Sequence, residues 1–249
     1  MSGYVSDKDK KELCLKSGNR CALPSCHQPL VIDDPAGNQN SIIAVMAHIK
    51  GENAGAARFD VTLPEEESNR YKNLILVCPT CHKIIDDQPH IYTVQYLLEL
   101  KDAHEKWISS SLKEQISNVT FVELAEVMKY MGTVQMSIPP SLEVITPKDK
   151  ILKNYLSAQV EGMLVMGLTQ VVQVREFLNS HHDIRFAERL VDGFVKEYKR
   201  LKYVEQLEAD GLFWALLDFS SDHRKEFIYQ AAGLAVLSYL FEKCEVFEK

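Results

Sequence analysis

The sequence predicts an α+β protein, a small mixed front module followed by an all-helical back half. Three observations predict it. Two close thiol pairs, Cys21 with Cys26 and Cys78 with Cys81, sit in Pro-containing loops far apart in the chain. Apolar, partly β-branched runs of strand length lie at 41–49 and 71–77, and the second opens directly into a helical pattern. Beyond about residue 148 the apolar residues recur only at helical spacing.

Taken in order, residues 7–17 read as a helix, stopped by Ser17, Gly18 and Asn19. A tight loop from Cys21 to Cys26 leads to a short strand at 29–32, and Asp33, Asp34, Pro35, Gly37 and Asn38 form a turn cluster. The strand at 41–49 carries His48 near its end. Residues 50–59 are a loop, and Pro64 with Glu65, Glu66 and Glu67 marks a helix start. The strand at 71–77 follows, then the helix bearing His82. Thr93 is a candidate N-cap for a helix to about Leu112, with Val94, Leu97, Leu98, Leu100, Trp107 and Ile108 on its apolar face. A further candidate helix lies at 119–131. The prolines at 139, 140 and 147 mark a break over 136–147. Helices then read at 148–179, 183–208, 210–218 and 222–243, with Asp183 and Asp222 as candidate N-caps and Val160, Met163, Leu164, Met166, Leu168, Val171 and Val174 as core. The chain thus divides into 1–115, a linker at 116–147 holding one candidate helix, and a helical domain at 148–249.

The formal net charge is −7, −3 over residues 1–115 and −4 over 116–249. That argues against a general nucleic-acid coat, because non-specific affinity comes mostly from neutralising phosphates. The most apolar windows, 160–174 and 227–241, fall short of the ~20 residues a membrane span needs and contain polar side chains. The first residues are polar, without an apolar segment of the signal type. The expectation is a cytoplasmic protein with no membrane partner. In a reducing compartment clustered thiols indicate metal rather than disulfides. Cys14 and Cys244 stand apart and receive no role.

Cys21, Cys26, Cys78 and Cys81 suit one tetrahedral four-thiolate Zn2+ site, each short loop presenting two sulfurs. Four protein ligands leave no open position, so this zinc would be structural, stapling two distant segments of a small module. His27, beside Cys26, is the alternative ligand.

With His48, Asn73 and His82 placed among these thiols, residues 14–110 resemble an HNH endonuclease module of the four-cysteine zinc type. The matching strings are Met46-Ala47-His48-Ile49 and the run from Asn73 through Cys78, Cys81 and His82 to Asp86. The resemblance implies a ββα-metal fold, two strands carrying His48 and Asn73 and a helix carrying His82, and the activity of a metal-dependent hydrolase of DNA phosphodiester bonds. It implies His48 as general base, a task suited to a neutral imidazole. It implies Asn73 as the residue holding that base or its loop, and His82 as ligand of a catalytic Mg2+ or Mn2+. Asp86, one helical turn after His82, is a candidate second ligand or orienter of His82; Asp87 is the weaker candidate. The sequence departs from the family in having Ala47 where many members carry an acidic metal ligand. Lys50, Arg58, Arg70 and Lys83 are candidate phosphate contacts, set against the plainer reading of solvated charges. His90, His104, His181, His182 and His223 are read as surface or cap residues.

More loosely, the last 100 or so residues resemble the C-terminal helical domain of effectors of bacterial ABC-ATPase three-component conflict systems. That resemblance implies docking onto an ATPase or adaptor protein; a self-contained or self-associating helical domain is the alternative. The expected function is an HNH endonuclease effector in bacterial antiphage defence, against a non-catalytic zinc-stapled adaptor binding DNA or protein.

Overall fold

Ser6 starts the first helix of the computed structural model, α1 (Asp7–Lys16), by accepting the Asp9 N–H at its Oγ (3.1 Å). The structure describes residues 4–32, 34, 41–132, 147–183, 185–243 and 247. The turn around 33–38, apart from Asp34, lies outside the described residues, as do the 136–147 break up to residue 146 and Cys244. The chain forms two compact units, residues 1–108 and 109–249.

In the front unit, α1 ends where Gly18 and Asn19 adopt left-handed backbone. The strand expected at 41–49 is two strands in two sheets. β1 (Val31–Ile32) pairs antiparallel with β2 (Ser41–Ile42), whereas β3 (Val45–His48) pairs antiparallel with β4 (Leu74–Val77), His48 opposite Leu74. The switch occurs at Ile43, whose N–H turns to Leu30 O (2.9 Å). The second expected strand is also shorter. Residues Tyr71–Asn73 form a 3-10 turn closed by Asn73 N–H on Arg70 O (2.9 Å), so Asn73 precedes β4 rather than lying in it. All four β4 residues are buried, which is why they read as an unbroken apolar run without alternation.

Pro64 sits at the N-cap of the short α2 (Glu65–Ser68), one position before the first turn. Cys78 caps α3 (Pro79–Asp87), with Pro at its first position, where the missing N–H costs nothing. Thr93 Oγ1 accepts the Tyr96 N–H (3.2 Å) at the start of α4 (Val94–Ile116). Leu97, Leu100 and Ile108 of α4 are buried, but Leu98 points outward. The core of the front unit gathers Leu13, Cys21, Leu30, Ala47, the β4 residues, Ile85 and Leu97.

In the back unit, α5 (Phe121–Met131) opens on a capping box of Thr120 and Glu123 and buries Leu124, Val127, Met128 and Met131. The long helix expected at 148–179 is three: α6 (Pro147–Lys153), α7 (Ala158–Leu168) and α8 (Val171–Ser180). Ser157 caps α7, so periodicity alone hid the break. Of the expected core residues, Val160, Met163, Leu164 and Val174 are fully buried. Next come α9 (Phe186–Lys199), with a π-helical turn after it, α10 (Ala209–Ser220) and α11 (Phe227–Lys243). Asp183 Oδ1 accepts the Arg185 N–H (2.9 Å) just ahead of α9. Asp222 is not a cap; it sits in left-handed backbone in the turn before α11.

Helix α11 is the hub of this unit, packing on α5, α7, α8 and α10, with residues 231–238 all buried. Gly167 of α7 permits a close approach to α11: a Cβ there would lie 2.7 Å from Leu234 O and 2.1 Å from Ser238 Oγ. The buried Lys150 Nζ donates to Phe241 O (2.7 Å) in the last turn of α11, where a cation complements the helix dipole. Among the described residues, no helix is long and apolar enough to cross a membrane.

Candidate metal centre and histidine pocket

Cys21, Cys26, Cys78 and Cys81 bring their Sγ atoms within 4.8 Å of one another, with Cys26 and Cys78 4.0 Å apart. A tetrahedral zinc with bonds of about 2.3 Å needs sulfurs roughly 3.8 Å apart, so the four cysteines could bind zinc with little movement. Two backbone amides already face the sulfurs: Cys78 N–H donates to Cys21 Sγ and Cys81 N–H to Cys78 Sγ, each at 3.4 Å. Burial pushes the Cys21 thiol up to about 11 and pushes Cys81 up as well. Burial opposes ionisation of Cys78 too, but the Cys81 amide and neighbouring thiols outweigh it and hold Cys78 below the usual range. Buried thiols of this kind ionise together only when a cation neutralises them.

His27 takes no part in this cluster. Its ring lies 4.0 Å from the Trp107 ring and 5.3 Å from that of His104, centroid to centroid. His104 is buried rather than on the surface. Its Nε2–H donates to Ser17 O (3.0 Å), and burial pushes its pKa down to about 4. Cys14 packs half-buried against the front core, and burial raises its thiol.

A second site lies between the C-terminal end of β3 and α3. His48 closes β3, His82 and Asp86 lie on α3, and all three line one pocket with Gly51, Glu52 and Arg58. His82 Nε2 is 3.2 Å from Asp86 Oδ2, the one-turn pairing that their spacing suggests. Asn73 does not reach the pocket. Its Oδ1 accepts the Lys50 N–H (2.9 Å), and its Nδ2 donates to Lys50 O (3.0 Å) and Ser68 O (2.9 Å). It clamps the backbone two residues past His48. Among the described residues the thiols are the one group of three or more convergent ligands; His82 and Asp86 meet as a pair.

The flanking charges resolve differently from one another. The Arg58 side chain is buried, its guanidinium donating to His48 O (3.1 Å), Ile49 O (3.0 Å), Ile85 O (2.9 Å) and Asp86 Oδ1 (2.7 Å). It is neither a solvated charge nor a phosphate contact in this state; it bolts the end of β3 to α3. Lys50 pairs with Asp60 (2.8 Å) and Lys83 with Asp87 (2.5 Å), while Arg70 reaches Asp9 (3.5 Å). Ala47 is wholly buried in the front core, on the strand face opposite His48. A carboxylate at that position would enter the core, not the pocket.

The sequence motifs passed over Glu52, Arg58 as a buried bolt, and Asn69. Asn69 joins two of the residues that line the pocket: its Oδ1 is 3.0 Å from His48 Nε2 and its Nδ2 donates to Glu52 Oε1 (3.0 Å). An asparagine four residues before Asn73, just past a helix end, was the one available signal. Chemically, the pocket offers an imidazole for proton transfer and an imidazole–carboxylate pair of the kind that ligates divalent cations. No family model matches the chain, and no curated protein matches it.

Proposed function

We propose that the chain is a metal-dependent HNH endonuclease hydrolysing DNA phosphodiester bonds, with a structural zinc on Cys21, Cys26, Cys78 and Cys81. The observation that carries the reading is that His48 and His82 line one pocket while Asn73 clamps the backbone just past His48. The order β3, β4, α3, with a histidine at the end of the first strand and another in the helix, supports it. In this reading His48 takes a proton from water as the water oxygen bonds to phosphorus and the bond to the leaving sugar oxygen breaks. His82, oriented by Asp86, would hold Mg2+ or Mn2+, which supplies charge neutralisation at the phosphate and the leaving oxygen. Arg58 keeps Asp86 turned toward His82. The acidic chain should hold DNA weakly by itself. We therefore assign the helical half to assembly, through an ABC-type ATPase or adaptor or through self-association, in a bacterial antiphage effector.

Two observations favour the second reading, a non-catalytic zinc-stapled adaptor. Ala47 supplies no acidic ligand, and Asp86 is already committed to Arg58. Plasmid cleavage separates the two. Supercoiled DNA should be cut in Mg2+ or Mn2+, not in chelator, and His48→Ala should abolish cutting at unchanged zinc content. Cutting by His48→Ala at the native rate would remove the assignment of the base, and no cutting by the native protein in either metal would leave the adaptor.

A further inference from the structure

We propose that Asn69, backed by Glu52, is a positioning residue that fixes the protonation pattern of His48 and leaves Nδ1 to accept the proton of the attacking water; this rests on the nuclease reading. The hydrogen bonds have a direction. An ionised carboxylate only accepts, so the Asn69 amide nitrogen is the end that faces Glu52 Oε1, at 3.0 Å. That turns Asn69 Oδ1 toward His48 Nε2, also at 3.0 Å. An amide oxygen only accepts, so Nε2 carries the hydrogen. A neutral imidazole in that form has its lone pair on Nδ1. The opposite tautomer would set the Nε2 lone pair against the amide oxygen and put a hydrogen on the nitrogen the reaction needs bare.

The placement of Asn69 suits a role exerted through the ring. It follows α2 directly and is absent from the residues lining the His48–His82 pocket, whereas Glu52 lines it. Ser68, its neighbour, is tied by its carbonyl to Asn73 Nδ2 (2.9 Å), and Asn73 also grips Lys50. The clamp on the backbone past His48 and the orienter of its ring therefore come from one connected segment, 68–73. Partners of this kind, one step removed from the reacting atoms, change activity by about 10–100-fold when lost.

The test uses the full-length zinc-loaded protein, native and as Asn69→Leu and Asn69→Asp. Nitrogen-15 NMR of the histidine rings reads the tautomer, and steady-state plasmid cleavage in Mg2+ reads kcat and KM. Native His48 is expected as the Nε2–H form. Asn69→Leu should give a mixed tautomer and a kcat lower by about 10–100-fold, with KM for plasmid unchanged. Asn69→Asp, which retains an acceptor, should keep the Nε2–H form and lose less than about tenfold. An Nδ1–H native ring, an unaltered kcat in Asn69→Leu, or an Asn69→Asp as slow as Asn69→Leu would overturn the proposal. A native protein that shows the Nε2–H ring but cuts no DNA overturns the nuclease reading instead, and the catalytic role of Asn69 with it.

Discussion

Asn73 commits its whole amide to backbone: the Lys50 N–H, the Lys50 carbonyl and the Ser68 carbonyl. Buried groups left without partners cost about 1–3 kcal/mol each, although relaxation and water soften the sum. Asn73→Ala should therefore lower the unfolding free energy of the front unit by roughly 2–3 kcal/mol in chemical denaturation. Asn73→Asp should be no better, since it retains the acceptor but sets a charge against two carbonyls. A loss within about 0.5 kcal/mol for both would show that the clamp is not structural. His104 carries a pH prediction. Burial holds it down at about 4 in the fold, while an unfolded histidine titrates near ~6.5. The unfolded chain binds more protons between those values, so this contribution is intact above about 6.5 and is lost as pH falls toward 4, by roughly 3 kcal/mol. His104→Gln should flatten that part of the stability–pH curve; an equal slope in the variant would contradict the assignment.

At the scale of elements, α7 and α11 cross closely at Gly167. The nearest backbone atom to an added Cβ is the Leu234 carbonyl oxygen at 2.7 Å, which cannot swing away as a side chain can. Gly167→Ala should thus destabilise the helical unit by about 1–3 kcal/mol, despite the better helix propensity of alanine. A thermal melt showing a stabilised variant would place the two helices further apart. The elements themselves were unevenly legible in the sequence. The thiol cluster could be read from spacing, because each pair is local and its loop short. The helix after Cys78 could be read from Pro79 at its start. The split of 41–49 into strands of two sheets could not, since it depends on Ile43 turning to Leu30 and on partners in two different segments. The single run at 148–179 hid two breaks because α6, α7 and α8 share compatible periodicity. The bolting role of Arg58, and Asn69 and Glu52 altogether, stayed hidden for a related reason: their partners lie 9 to 28 residues away, with no local pattern to mark them.

Across the whole molecule the two units answer differently to pH and to metal. The hydrogen bond that His223 Nδ1–H donates to Asp218 Oδ2 raises the His223 pKa in the back unit. Its stabilisation is complete below the unfolded value and fades as pH rises through the folded one, opposite in sign to His104. Stripping zinc should act on the front unit alone. Cys78→Ser or Cys81→Ser should abolish stoichiometric zinc and the cooperative unfolding of residues 1–108, while the helical signal of residues 109–249 persists. A native protein free of zinc by metal analysis would contradict the staple. The central claim joins the two metal roles: thiols that hold the module and a histidine pocket that cuts. Its most direct measurement is the rate of supercoiled plasmid loss in Mg2+ for the native protein and His48→Ala, with zinc content measured on the same samples. The account predicts equal zinc and cutting by the native protein only; equal cutting by both proteins, or none by either in Mg2+ or Mn2+, would contradict it.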